Sequence, residues 1–190
     1  KKIIKDTFDS IIKTKNVEKL SAGIVITGGG PIDEFKSSKK KPIVIVLDNI
    51  RSAHNVGSIF RTSDAFLITK LILCGITPTP PSNEIRKSAL GSTNSVEWVK
   101  EEETGIAINQ LKKEGYYIVG VEQVEEATEI QKFQNNKPIA LIFGHEVNGI
   151  SQEIIDTCDE IIEIPQYGTK HSLNISVCAG IVMWKIAEMY

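Results

Sequence analysis

Cysteine is scarce in this 190-residue chain, and Cys74, Cys158 and Cys178 stand singly among apolar neighbours. None forms a close pair, so neither a disulfide framework nor a thiolate metal site is encoded. The thiols read as reduced, mostly buried groups of an intracellular, cytoplasmic protein. Long hydrophobic runs are also missing. No apolar stretch reaches membrane-spanning length and the N-terminus has no apolar core of a secretory signal, so neither a membrane-borne body nor export is expected. The sequence begins at Lys1 and not at Met, and a few further residues are expected before it. A strong charge of one sign is lacking too: the net charge of -2 gives no support by itself to nucleic-acid binding.

What remains is an ordinary globular composition, 41% apolar and 24% charged, which excludes a disordered chain. The length suits one domain with a small appendage and suffices for a substantial core. Charge is unevenly spread. Residues 1–41 hold ten lysines against Asp6, Asp9, Glu18, Asp33 and Glu34, about +5, and the rest of the chain carries about -7. Two regions follow: a short basic N-terminal extension, 1–41, and a main body, 42–190. A basic extension of this kind approaches phosphates, or is simply a solvated terminus.

Apolar spacing predicts an amphipathic helix over 3–15, which the Gly28-Gly29-Gly30-Pro31 turn follows. Strands are predicted at 43–47, 71–74, 96–99, 117–121, 139–143 and 160–164. Helices are predicted at 56–66, 84–90, 104–113 and 152–157, and a last one within 171–189 that is apolar on most sides. Strands alternating with helices imply an α/β fold with a mostly parallel sheet covered on both faces. Such sheets bind ligands in loops beyond the C-terminal ends of their strands.

Three strand-following segments therefore hold the candidate chemistry. The first, 47–62, contains Asn55, Gly57 and Arg61. Gly57 permits close backbone approach, and a guanidinium six residues past the Asn55 amide suits a phosphate or a developing alkoxide. Spacing alone favours the simpler reading, an N-cap near Asn55 with a surface arginine. In the second, 142–151, a strand ends at Gly144 and is followed by His145, Glu146 and Gly149. Backbone groups at such a turn read a base edge, and Glu146 has the reach to orient Arg61 or another donor, although a structural turn capped by Ser151 is an alternative. The third, 163–176, carries Pro165 and Gly168 in a loop, then Ser172, Asn174 and Ser176 entering an apolar helix. Polar groups placed there need partners, and helix capping accounts for Ser172 alone.

Taken in order, the asparagine and arginine of the first segment, the Gly-x-Glu turn of the second and the proline loop with Ser172-Leu173-Asn174 of the third resemble the signature motifs of one family. It is the SpoU (TrmH-like) tRNA/rRNA 2'-O-ribose methyltransferase family of the SPOUT class, and the likeness spans about 43–190. The resemblance implies a SPOUT-type α/β knot, with a C-terminal deep trefoil that composition would never suggest, since knotted chains are scarce. It implies S-adenosyl-L-methionine as cofactor, with Gly144, Ile164 and Leu173 in its pocket. Asn55, Arg61, Glu146, Ser172 and Asn174 become the catalytic and orienting group. It also implies a homodimer with its active sites near the interface, acting on RNA, with tRNA favoured over rRNA, and not on DNA or at a membrane.

A metal is not expected: His54, His145 and His171 sit within the motifs but lack zinc-ligand spacing. Nor does Gly28-Gly29-Gly30 have the lysine and hydroxyl residue of a phosphate-binding P-loop. Two other function classes stay open at this point, an inactive knotted RNA-binding or assembly protein and a methyltransferase of the same fold acting on an RNA base. Intact motifs speak against the first, and the identity of the methylated nucleoside separates the second.

Overall fold

A computed structural model describes residues 32–170 and 172–190. The helix expected over 3–15, the Gly28-Gly29-Gly30 turn and His171 lie outside the described residues. The chain divides into two compact units, Lys1–Phe35 and Lys36–Tyr190. A short helix α1 covers Ile32–Ser37.

The second unit is built on strands β1 (Lys41–Asp48), β2 (Ile68–Cys74), β3 (Glu97–Glu101), β4 (Tyr117–Val121), β5 (Thr128–Glu129), β6 (Ile139–Phe143) and β7 (Glu160–Glu163). Its helices are α2 (Ala53–Ala65), α3 (Asn83–Ala89), α4 (Thr104–Lys113), α5 (Gln152–Ile155) and α6 (Ile175–Ala187), with one 3-10 turn at Ser92–Asn94. All strands pair in parallel, in the order β3-β2-β1-β6-β4-β7-β5. The unbroken apolar runs of β1 and β6 follow from this place in the sheet. Both are central, and Ile43 to Leu47 and Ile139 to Phe143 are fully buried.

Side chains alternate across a strand. Val44 and Val46 join Ile72, Ile118, Ala140 and Ile142 under Ala107, Ile108 and Leu111 of α4. Ile43, Ile45 and Leu47 therefore face the opposite layer, where α2 packs on α3 and α6. Ser63 of α2 reaches Met183 of α6 there, its Oγ donating to the sulfur at 3.5 Å. Gly57 does permit close approach, but to a helix: a Cβ there would lie 2.1 Å from Ser88 Oγ and 2.5 Å from Ile85 O of α3.

Two of the boundaries that differ from expectation bear on the site. Helix α2 begins at Ala53 and not at 56, because Ser52 adopts extended φ/ψ and its hydroxyl accepts from Asn55 N. Helix α6 begins only at Ile175; Ser172 and Asn174 precede it, and Asn174 is its N-cap. The two-residue edge strand β5 carries too little pattern to be seen in sequence.

The order of strands positions the site. From β1 the chain builds outward through β2 and β3, then starts again at β4 on the other side, leaving the gap that β6 fills. Loops after strands on either side of such a reversal diverge and leave a crevice at the strands' C-terminal ends.

Candidate functional site

A cavity of about 480 Å³ opens in that crevice, where the ends of β4, β6 and β7 meet the start of α6. Gly144, Glu146, Ile164, Ser172, Leu173 and Asn174 all line it. Six of the eight candidate residues are thus brought to one place.

The second segment is folded back on itself. His145 N donates to Gly149 O at 3.1 Å and Gly149 N to His145 O at 2.8 Å, closing a tight turn directly after β6. Only glycine fits at its base: a Cβ on Gly144 would lie 2.4 to 2.5 Å from backbone atoms of Gly149 and Ile150. Within the turn His145 Nδ1 accepts from Val147 N and Asn148 N, so this histidine serves first to hold the loop.

Glu146 then reaches across to the first segment. Its carboxylate accepts from Arg51 N at 2.9 Å, Ser52 N at 3.0 Å and Asn55 Nδ2 at 3.3 Å. Partial burial pushes this carboxyl up, but hydrogen bonds from the backbone N–H groups of Arg51, Glu146 itself and Ser52 and from the Asn55 amide outweigh burial. They hold it below the ordinary glutamate value. The donors Glu146 orients are therefore backbone amides and Asn55, not Arg61. The two amides lie just ahead of the first turn of α2, where orphan N–H groups and the helix dipole favour an anion.

Asn55 is nearly buried, at 8% exposure, and an amide there needs partners on both ends. Its nitrogen takes Glu146, and its oxygen accepts from Asn174 Nδ2 at 3.2 Å. Asn174 in turn accepts from Ser176 N and Oγ, which caps α6. One hydrogen-bonded chain, Glu146–Asn55–Asn174–Ser176, joins all three sequence segments. Ser172 stands exposed at the cavity wall.

Arg61 is not brought in. It lies on the exposed side of α2, outside the cavity lining, and has no hydrogen bond or ion pair among the described residues. Because α2 starts before Asn55, six residues of helix carry Arg61 about 9 Å along the axis, away from the loop. Close by, Thr62 packs near Gly180 of α6. The outer side of α6 shows Val177, Ile181 and Trp184, exposed by 50%, 38% and 55% and spaced to form one apolar stripe that starts at the cavity.

Sequence reading missed the β4 end of the cavity. Val121, Glu122 and Gln123 line it, and the strand-end rule that located the other loops applied here as well; the segment lacks the glycines that drew attention elsewhere. Cys178 also lines the cavity, and burial, followed by the nearby Glu122 carboxylate, pushes its thiol up to about 11. Such a thiol is a poor nucleophile at neutral pH, as is that of Cys74 in the core, which burial foremost raises to about 12. Among the described residues no group of histidines, cysteines and carboxylates is arranged to hold a metal ion, and no helix is long and apolar enough to cross a membrane.

The lining fits an amphipathic ligand with positive charge. Ile164 and Leu173 give it apolar surface, the Gly144–Gly149 turn gives it backbone groups, and Glu122, Glu146 and Glu163 give it carboxylates, while no lysine or arginine among the described residues lines it.

Comparison with known proteins agrees with this geometry. The profile of the SpoU rRNA Methylase family matches residues 42–184. A Staphylococcus haemolyticus protein assigned to the TrmH family of tRNA/rRNA methyltransferases is 31% identical over 158 residues, 81% of this chain and 63% of the relative. The chain thus spans less than two thirds of the length of that relative. Among solved structures, the A. aeolicus TrmH/SpoU tRNA modifying enzyme aligns with a TM-score of 0.75 at 27% identity, covering 83% of this chain and 80% of the other. An AdoMet-bound rRNA methyltransferase from Sinorhizobium meliloti shares the fold with a TM-score of 0.74 at 23% identity, covering 95% and 69%.

Proposed function

Because the chain belongs to the SpoU rRNA methylase family, we propose that it transfers a methyl group from S-adenosyl-L-methionine to a ribose 2'-hydroxyl of tRNA or rRNA. The observation that carries the reading is the hydrogen-bonded chain Glu146–Asn55–Asn174, which ties the three family motifs together at the rim of the cavity. S-adenosylmethionine, when bound, supplies an electrophilic methyl group on a sulfonium. Gly144, Ile164 and Leu173 would hold it, the glycine through the backbone of its turn and the other two by apolar contact.

The chain's own residues then position the acceptor. Ser172 presents a free hydroxyl at the wall, and Asn174, held by Asn55, fixes the start of α6 beside it. Arg61 carries a fixed positive charge, suited to a phosphate or to negative charge developing on the ribose oxygen. It lies outside its own chain's cavity, and in this reading a second copy supplies it. The exposed stripe Val177, Ile181 and Trp184 supports that homodimer, since a two-fold contact through α6 would cover apolar surface that begins at the cavity.

Residues 42–190 form the methyltransferase domain in this reading, and the basic stretch 1–41 meets RNA phosphates. A 2'-hydroxyl acceptor excludes DNA. Family membership also supports the C-terminal trefoil knot, and the free thiols support a reducing, cytoplasmic setting.

To test the activity, purified protein is incubated with labelled S-adenosylmethionine and total RNA, with tRNA and rRNA then taken separately. Digestion should release a 2'-O-methylnucleoside. A methylated base would overturn the ribose assignment, and RNA binding without methyl transfer would overturn the enzyme reading.

A further inference from the structure

Glu122 follows β4 directly and has one carboxylate oxygen on each of two tasks. Oε1 accepts from Gln123 N at 2.9 Å and Oε2 from Ile150 N at 3.0 Å, the latter fastening the β6 turn to the end of β4. Each oxygen keeps a further acceptor position, and the residue lines the cavity. Its charge is not neutralised: among the described residues neither it nor Glu163 is in an ion pair, and no lysine or arginine lines the cavity. Glu146, the third carboxylate there, is occupied by three donors from the α2 side. The carboxylate field also reaches the cavity wall, where Glu122 contributes to raising the Cys178 thiol.

We infer that Glu122 is a specificity-determining residue that makes the cavity prefer the cationic cofactor to the uncharged-sulfur product, S-adenosylhomocysteine. The inference rests on the cofactor reading above. The chemistry follows from charge alone. A sulfonium within reach of an unpaired carboxylate is attracted, and that attraction vanishes when the methyl group leaves and the sulfur becomes a neutral thioether. The carboxylate thus favours binding of the reactant and release of the product, and the same group, through Ile150 N, keeps the turn that forms the pocket.

The test is calorimetric binding, without RNA, of S-adenosylmethionine, S-adenosylhomocysteine and sinefungin, in which a carbon replaces the sulfur and a protonated amine stands where the transferable methyl group was. The unaltered protein should bind both cations about five- to tenfold more tightly than S-adenosylhomocysteine, a ratio that shrinks with added salt. Glu122→Gln can still accept from Ile150 N. It should weaken the two cations, leave S-adenosylhomocysteine unchanged and bring the ratio near one. Glu122→Asp, which keeps the charge, should keep the preference while loosening all three. Equal weakening of all three ligands by Glu122→Gln would make Glu122 a loop fastener only, and a ratio that ignores both the substitution and salt would overturn the inference. Failure of the unaltered protein to bind any of the three would overturn the cofactor reading itself, and the inference with it.

Discussion

The two ends of helix α2 differ in a way that organises this site. At its start, Ser52 and Asn55 are engaged by side chains and backbone from all three motif segments, and both ends of the Asn55 amide have partners. About two turns later, Arg61 lies exposed beside an apolar face that nothing among the described residues covers. The first end is completed by folding; the second is shaped to be completed by something else. In the proposed reading, the cofactor half of the site is a property of one chain, while the half that handles the acceptor depends on assembly and on RNA.

Removing the free end's charge should have the largest effect. Arg61→Ala is expected to lower methyl transfer about 10²- to 10³-fold, the range for losing one charge-stabilising group. Thermal melting and cofactor affinity should stay unchanged, because Arg61 touches neither core nor cavity; parental turnover would remove it from the reaction. The comparison sharpens if Arg61→Ala chains are mixed with Asn174→Ala chains, since mixed dimers should regain activity that each variant lacks alone.

At the built end, Gly144→Ala forces a methyl group into the backbone of Gly149 and Ile150. A loss of about 1–3 kcal/mol in denaturant unfolding is expected, together with loss of S-adenosylmethionine binding by calorimetry. Unaltered binding would mean that the turn does not form the pocket. Trp184→Glu, on the uncovered stripe, should weaken self-association by about 2 kcal/mol, visible as a shift to monomer in sedimentation, with cofactor binding retained.

The smallest effect concerns pH. The Glu146 carboxyl is held below its ordinary value of 4.5 in the folded chain, so its contribution to stability is present above that value and is lost as pH falls through the lower folded one. Glu146→Gln should therefore melt earlier than the parent at pH 7, by about 1 kcal/mol. That gap should close as the pH is taken below 4.5; a gap independent of pH would assign the loss to packing instead.

Much of this was legible in the residues. The continuous apolar runs of β1 and β6 marked strands of a parallel sheet covered on both faces, and glycine-containing segments after three strands marked loops where ligands bind. Gly144, Glu146, Ile164, Ser172, Leu173 and Asn174 were named together and do meet at the cavity. The partners were harder to see. Glu146 reads as a mate for an arginine, charge for charge, but an N-terminal helix turn offers a carboxylate backbone donors that leave no mark in a sequence. Glu122 was passed over because its segment carries no glycine, although its place after β4 follows the same rule as the others.

By itself, then, the sequence determined the class of fold, the family and the loops that form the pocket, since these follow from apolar periodicity and from short motifs whose residues are fixed by local backbone needs. Only the tertiary structure decided which polar groups pair across 91 and 119 residues and that Arg61 is left out of its own cavity. The helix start sets that outcome. A cap at Ser52, three residues earlier than the apolar pattern suggests, places Asn55 within the first turn of α2 and carries Arg61 onto a surface that the described residues leave open.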